Sequence, residues 1–119
     1  MRVLVIDGQG GKVGAQFVSG IRERLPGARV TAVGTNAMAA AALRKAGADA
    51  AATGENAVIV ACRTADVIVG PVGIVIADAM LGEITPAMAR AVGQSLARRV
   101  LIPFETLSLI HISEPTRPY

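Results

Sequence analysis

The segment RVLVIDGQGGKVG, residues 2–14, decides the fold of this 119-residue chain. Its first half is a short apolar run that ends at a cluster of glycines, which is typical of a strand buried on both faces of a parallel sheet. From Val13 onward apolar residues recur every four positions as far as Leu25, and Pro26 and Gly27 stop the run. The segment therefore predicts a strand, a glycine turn and a helix.

The rest of the chain repeats this alternation. Further strands are predicted at residues 29–33, 49–53, 66–69 and 100–102. Helices are predicted between the N-cap Asn36 and Gly47, at residues 57–63, at residues 73–81, and from Pro86 behind the N-cap Thr85. Residues 57–63 read equally well as a strand, and we take them as a helix because parallel neighbours need a crossover of about a dozen residues. The pattern predicts a single three-layer α/β domain, a Rossmann-like doubly wound parallel sheet of about five strands in the order 3-2-1-4-5.

Composition excludes several classes of protein. A hydrophobic content of 52% excludes disorder. The net charge is +3, but the basic residues form separate short groups near predicted helix ends and are not interleaved with aromatics, so we expect no nucleic-acid partner. The longest uncharged run, residues 30–43, is shorter than the roughly 20 apolar residues that span a bilayer, and no secretion signal precedes the first strand. With its single cysteine, Cys62, the chain is expected in the reducing cytoplasm of a bacterium, away from membranes.

The last residues, LSLIHISEPTRPY at 107–119, differ in composition from the Ala- and Gly-rich chain before them. The string resembles the translation of an adaptor used to prepare sequencing libraries, as occurs when a metagenomic gene runs into adaptor. This resemblance implies an incomplete domain at residues 1–106 and a non-native tail at 107–119, with the native sequence after Thr106 missing. The only histidine, His111, lies in that tail. Residues 1–106 thus lack the histidine for a Ser/His or Cys/His dyad or a His-based metal site, and we assign neither catalytic residues nor a metal.

A ligand of a doubly wound sheet binds at the carboxyl ends of the strands, where the winding reverses. The first loop there carries GxxGxxG, with glycines that can turn tightly, approach a pyrophosphate and pack the helix against the sheet. Lys12 is placed to meet a phosphate. The residues predicted to bind a cofactor, NAD(P) or another nucleotide, are Gly8, Gln9, Gly10, Gly11, Lys12, Val13, Gly14, Thr35, Asn36, Gly70, Pro71 and Gly73. The alternative is a glycine turn that serves the fold alone.

Acidic residues complicate the use of plain NAD. No Asp or Glu follows the second strand, where a carboxylate would hold the ribose diol. Asp7 would repel a phosphate unless it bonds loop N–H groups or holds a metal, and loop capping is the favoured interpretation. Glu55 and Glu83 lie by helix starts, where we expect them to stabilise exposed N–H groups. Asp78, in a predicted apolar helix, must reach solvent or a partner.

Two family resemblances follow from these motifs. Residues 1–34 resemble the cofactor half of dihydrodipicolinate reductase, which implies Gly8, Gly11, Gly14 and Lys12 as NAD(P) contacts, although that family's acid after the second strand and its substrate domain have no counterpart here. Residues 1–103 resemble a family of short bacterial proteins of unknown function that carries DGQGG-x-[IV]-G, GTN, TGEN, GP-[IV]-G-I and LGEITPAMA segments. This second resemblance implies a Rossmann-like fold and no particular reaction.

Two functions from different classes remain open. The first is binding of a nucleotide or other small phosphorylated ligand at the first-strand loop. The second is a ligand-free interaction or scaffold domain that forms a homo-oligomer through an apolar face, which the mean hydropathy of +0.51 favours. An enzyme completed by a partner subunit is a third possibility.

Overall fold

The computed structural model describes residues 1–103. Five strands and four α-helices alternate along them, with one short 3-10 helix. Their bounds are β1 Arg2–Asp7, α1 Lys12–Arg24, β2 Arg29–Gly34, α2 Ala37–Lys45, β3 Ala50–Thr53, α3 Glu55–Cys62, β4 Val67–Pro71, the 3-10 helix Val72–Val75, α4 Pro86–Gln94 and β5 Arg98–Ile102. The predicted boundary at residue 106 and the tail at 107–119 lie outside the described residues and stay predictions. No helix in the described part of the chain is long and apolar enough to cross a membrane.

The strands form one parallel sheet in the order β3-β2-β1-β4-β5, which confirms the predicted doubly wound topology. Its register aligns the carboxyl ends of three neighbouring strands: Asp7 pairs with Gly34, and Gly34 pairs with Thr53. The loops that follow these strands therefore start side by side.

Alternate side chains of the strands build a core on each face of the sheet, as a sheet covered on both sides requires. On one face Val3, Val5, Val30, Ala32 and Val69 pack with Val18 of α1 and Leu43 of α2. On the other face Leu4, Ile6, Val33 and Ile68 pack with Val58 of α3, Met88 and Val92 of α4, Ile74 and Ile84. The result is the predicted three-layer domain.

The predicted caps are confirmed for two helices. Asn36 precedes α2, and its Oδ1 accepts a hydrogen bond of 2.8 Å from the Ala39 N–H. Thr85 precedes α4, with Pro86 at the first helical position, and its Oγ1 accepts from the Met88 N–H at 3.1 Å. The polar side chain before each helix thus sets where the helix begins. The helix predicted at residues 57–63 is also present, and it begins two residues earlier.

The apolar helix predicted at residues 73–81 is wrong. Only the 3-10 helix Val72–Val75 forms, and residues 76–84 make a compact loop, which we call the covering loop. Its backbone closes on itself through Asp78 N–H to the Ile84 carbonyl at 2.7 Å and Ile84 N–H to the Ala79 carbonyl at 3.1 Å. The β-branched residues at 72, 74, 75 and 76 disfavour a helix, because they lose side-chain freedom against the preceding turn. Asp78 is exposed, as its charge requires.

Candidate functional site

The glycine loop, residues 8–11, and the first residues after β2 meet at the carboxyl edge of the sheet. The Thr35 N–H donates to the Asp7 carbonyl at 3.0 Å, and the Asn36 Nδ2 donates to the Gln9 carbonyl at 3.0 Å. Nine of the predicted site residues, those at 8–14 and 35–36, are therefore brought together here.

Asp7 connects the glycine loop to the first turn of α1. Its side chain is 5% exposed, its Oδ1 accepts from the Gly8 N–H at 2.8 Å and its Oδ2 from the Gly14 N–H at 2.7 Å. Burial raises the pKa of this carboxyl above its ordinary value, and the two N–H donors oppose that rise. The loop-capping interpretation of Asp7 is thus confirmed. Among residues 1–103 no three His, Cys, Asp or Glu side chains are grouped to hold a metal ion.

The glycines in the GxxGxxG segment differ in why a side chain would or would not be tolerated. Gly11 has φ +74°, and a Cβ there would lie 3.0 Å from Ala39 Cα. A Cβ on Gly14 would lie 2.6 Å from Leu43 Cδ2, so this glycine lets α1 pack closely, as predicted. Gly10 differs, because a Cβ there would meet nothing within 4 Å. The space beside Gly10 is open.

The first turn of α1 offers unpaired donors next to this space. The first N–H groups of a helix have no partner inside it, and Asp7 takes only the one on Gly14. For the N–H groups of Gly10, Lys12 and Val13, residues 1–103 provide no acceptor. The Lys12 side chain is exposed, and no acidic residue stands in the first turn. The N-terminal end of α1 is therefore electropositive.

Glu83 belongs to this edge, which sequence reasoning missed. Its Oε1 accepts from the Gln9 N–H at 2.8 Å, from Thr35 Oγ1 at 2.5 Å and from Asn36 Nδ2 at 3.3 Å. The Gln9 N–H, followed by the Thr35 hydroxyl, lowers the pKa of the Glu83 carboxyl. The expectation that Glu83 stabilises the start of α4 is wrong, since Thr85 caps that helix and Glu83 reaches the glycine loop instead.

Glu55 lies at a helix start, as predicted, but among the described residues no helix N–H donates to its carboxylate. It lies in the first turn of α3, and its Oε1 accepts from Thr85 Oγ1 at 2.7 Å. The same hydroxyl caps α4, so Glu55 ties the starts of α3 and α4 together.

The covering loop lies directly against Gly8. A Cβ at Gly8 would be 2.7 Å from Met80 Sδ, 2.7 Å from Glu83 Oε1 and 2.6 Å from Thr35 Oγ1. Asp78, Met80 and Leu81 have φ of +70°, +58° and +58°, in the left-handed region that non-glycine residues rarely adopt. The loop thus combines backbone strain with contact to the glycine loop.

The remaining predicted site residues, Gly70, Pro71 and Gly73, lie in β4 and in the 3-10 helix that follows it. Gly70 is buried in β4, where a Cβ would collide with the Ile6 carbonyl. Gly73 packs under the covering loop, since a Cβ there would lie 3.3 Å from Ala79 Cβ. Their assignment to a ligand stays a prediction.

Comparison with models of protein families identifies the family of this chain. The model described as Domain of unknown function (DUF3842) matches residues 2–118. The chain belongs to this family. Membership of the DUF3842 family agrees with the resemblance to short proteins of unknown function, whereas the individual segments and the likeness to dihydrodipicolinate reductase stay predictions. Comparison with curated proteins found no relative of the DUF3842 chain.

Solved structures similar to this DUF3842 domain include AibC and a UbiX-like decarboxylase. AibC is 25% identical with a TM-score of 0.55, and the match covers 92% of this chain but only 32% of AibC. The DUF3842 chain thus spans less than two thirds of AibC. A dodecameric FMN-dependent UbiX-like decarboxylase from Escherichia coli O157:H7 is 24% identical with a TM-score of 0.54, covering 94% of this chain and 71% of the decarboxylase. Both likenesses agree with the Rossmann-like fold.

Proposed function

We propose that this domain binds a nucleotide, NAD(P) among the candidates, or another small phosphorylated ligand at the glycine loop. The observation that carries the proposal is the set of unpaired N–H groups on Gly10, Lys12 and Val13, next to the open space at Gly10. Backbone N–H groups at a helix N-terminus form an anion site, because they add directed donors to the positive end of the helix dipole. The exposed Lys12 supplies a mobile cation beside them.

Asp7 does not oppose this proposal. Its two oxygens are engaged by the Gly8 and Gly14 N–H groups, beneath the loop. The donors without an acceptor are different ones. A phosphate would therefore meet the N–H groups of Gly10, Lys12 and Val13 with the Asp7 charge partly compensated by its own hydrogen bonds.

The test is isothermal titration of the 119-residue protein with phosphate, pyrophosphate, ADP, NAD, NADP and FMN. Charge-assisted hydrogen bonds contribute about 1.5–3 kcal/mol, so Lys12→Glu should weaken binding by about 10- to 100-fold. Lys45→Glu is the matched control, since Lys45 ends α2 and carries the same charge. Equal losses in the two variants, or no binding of any probe, would reject the proposal.

A second variant tests the site by steric exclusion of the ligand. Gly11 is unsuitable for this purpose, because its positive φ and its contact with Ala39 would strain the fold. Gly10→Leu adds a side chain where a Cβ meets nothing, so folding should be preserved while a ligand is excluded. Unaltered ligand affinity in Gly10→Leu would contradict the proposed position.

The second candidate function is assembly into a homo-oligomer through an apolar face. A cavity of about 760 Å³ on the α3 face favours it, and Val60 on its wall is 46% exposed. The apolar residues lining the cavity include Leu4, Val33, Ala52, Ala57, Val60, Ala61 and Ala65. Under this function Gly10→Leu would leave assembly unchanged, whereas Val60→Arg would dissociate the oligomer. Light scattering that shows a monodisperse monomer at every concentration would reject it.

A further inference from the structure

Glu83 stands where the sequence lacks an acid. In doubly wound dinucleotide-binding domains an Asp or Glu at the end of the second strand accepts hydrogen bonds from the ribose hydroxyls. Here β2 ends at Gly34, and the next two residues, Thr35 and Asn36, are uncharged. Both donate to Glu83 Oε1, so a carboxylate from a segment 48 residues further along the chain lies beside the end of β2.

The geometry leaves one oxygen of this carboxylate available. The three donors, Gln9 N–H, Thr35 Oγ1 and Asn36 Nδ2, all converge on Oε1. For Oε2, residues 1–103 supply no hydrogen-bond donor. One oxygen thus fixes the side chain to the glycine loop while the other can accept from outside.

We propose that Glu83 is the residue that recognises a vicinal diol, so that the ligand of the glycine loop is a nucleotide with free ribose hydroxyls. This inference rests on the proposed function, because the phosphate of the same ligand would bind at the start of α1. Gln9 links the two parts: its N–H holds Glu83, and the next residue, Gly10, borders the open space. The lowered pKa of Glu83 keeps the carboxylate ionised at neutral pH.

A phosphate on the ribose would be disfavoured at this position. Its charge would face the Glu83 carboxylate, and like charges repel strongly when they share a site. NAD should therefore bind better than NADP, and ADP better than 2′,3′-dideoxy-ADP, which lacks both hydroxyls.

The experiment measures the affinities of these two ligand pairs and of pyrophosphate by isothermal titration. For the wild-type protein we expect each preference to be about 10- to 100-fold, the effect of one hydrogen bond to a charged group. In Glu83→Gln the amide oxygen can keep the three donors, and we expect both preferences to fall below about 3-fold while pyrophosphate still binds. Glu55→Gln is the matched control, since Glu55 lies in the first turn of α3 and accepts only from Thr85 among the described residues.

The outcomes separate the two proposals. If no probe binds, pyrophosphate included, the proposed function fails and this inference falls with it. If pyrophosphate binds but the ligand pairs bind equally to wild type, or no nucleotide binds, the diol inference is wrong while the phosphate site stands. Tighter binding of NAD or ADP by Glu83→Gln would also overturn it, because the Glu83 charge would then repel the ligand instead of accepting from its hydroxyls. Thermal unfolding of each variant reports folding independently.

Discussion

Gly14 is one of the closely packed glycines of the motif, and its packing can be tested with a second glycine of the same helix. Gly14 and Gly20 both lie in α1, so alanine at either position should add a similar helix propensity of about 0.5–1 kcal/mol. A Cβ at Gly20 would meet nothing within 4 Å. At Gly14 it would lie 2.6 Å from Leu43 Cδ2 and 2.8 Å from Asp7 Cβ, both of which real Cβ contacts avoid.

Neither neighbour of Gly14 can move freely. Leu43 is fully buried, and Asp7 is held by two hydrogen bonds, one of them from the Gly14 N–H itself. Overpacking of a core costs about 1–3 kcal/mol. Gly20→Ala should therefore be more stable than wild type by about 0.5–1 kcal/mol, and Gly14→Ala should be less stable than Gly20→Ala by about 1–3 kcal/mol.

The assay is equilibrium unfolding in urea, followed by circular dichroism, on the 119-residue protein and both variants. The difference between the unfolding free energies of the two alanine variants cancels most of the helix-propensity effect. What remains is the free-energy cost of packing a Cβ at Gly14. Equal unfolding free energies for Gly14→Ala and Gly20→Ala, at an unchanged dependence on urea, would show that α1 does not approach Leu43 and Asp7 as described.

Three further predictions concern single side chains. Asp7→Ala leaves the buried N–H groups of Gly8 and Gly14 without their acceptor, so the unfolding free energy should fall by about 1–3 kcal/mol for each; a loss below about 1 kcal/mol in urea unfolding would contradict this. Because the pKa of folded Glu83 is lowered, its contribution is present above the ordinary value of 4.5 and is lost as pH falls through the folded pKa. The stability difference between wild type and Glu83→Gln should thus be constant above about pH 6 and shrink below pH 4.5, and a difference that grows in acid would reject the assigned hydrogen bonds. Burial raises the pKa of the Cys62 thiol to about 11, so a thiol reagent at pH 7.5 should label the native protein far more slowly than the urea-unfolded one.

The fold could be predicted from sequence wherever its determinants are local. The segment at residues 2–14 contains a strand with the apolar centre VLVI, the turn glycines and the start of a helix within one short stretch. Asn36 and Thr85 are likewise recognisable, because an N-cap acts on a donor only three residues away. Right-handed crossovers between parallel strands then leave few possible orders for five strands.

The site could be predicted only in part, because its second half comes from a distant segment. Glu83 and Gln9 are 74 residues apart, and no spacing in the sequence links them. Residues 72–81 also contain a nearly continuous apolar run, in which hydrophobic periodicity cannot distinguish a helix from an irregular buried segment. The signals available were weaker ones: the β-branched residues that disfavour a helix, and Gly82 next to Glu83.

The strain of the covering loop bears on whether this edge of the sheet has a function. Three non-glycine residues with positive φ each cost about 1–2 kcal/mol, and Leu81 gains little in return because it is 95% exposed. What the strained backbone does achieve is to bring Met80 against Gly8 and the Glu83 carboxylate onto the Gln9 N–H. Strain of this kind persists where the position of a side chain matters more than local stability. The strain therefore supports the proposal that the covering loop is part of a ligand site, in which the glycine loop would provide donors for a phosphate and Glu83 the acceptor for a diol.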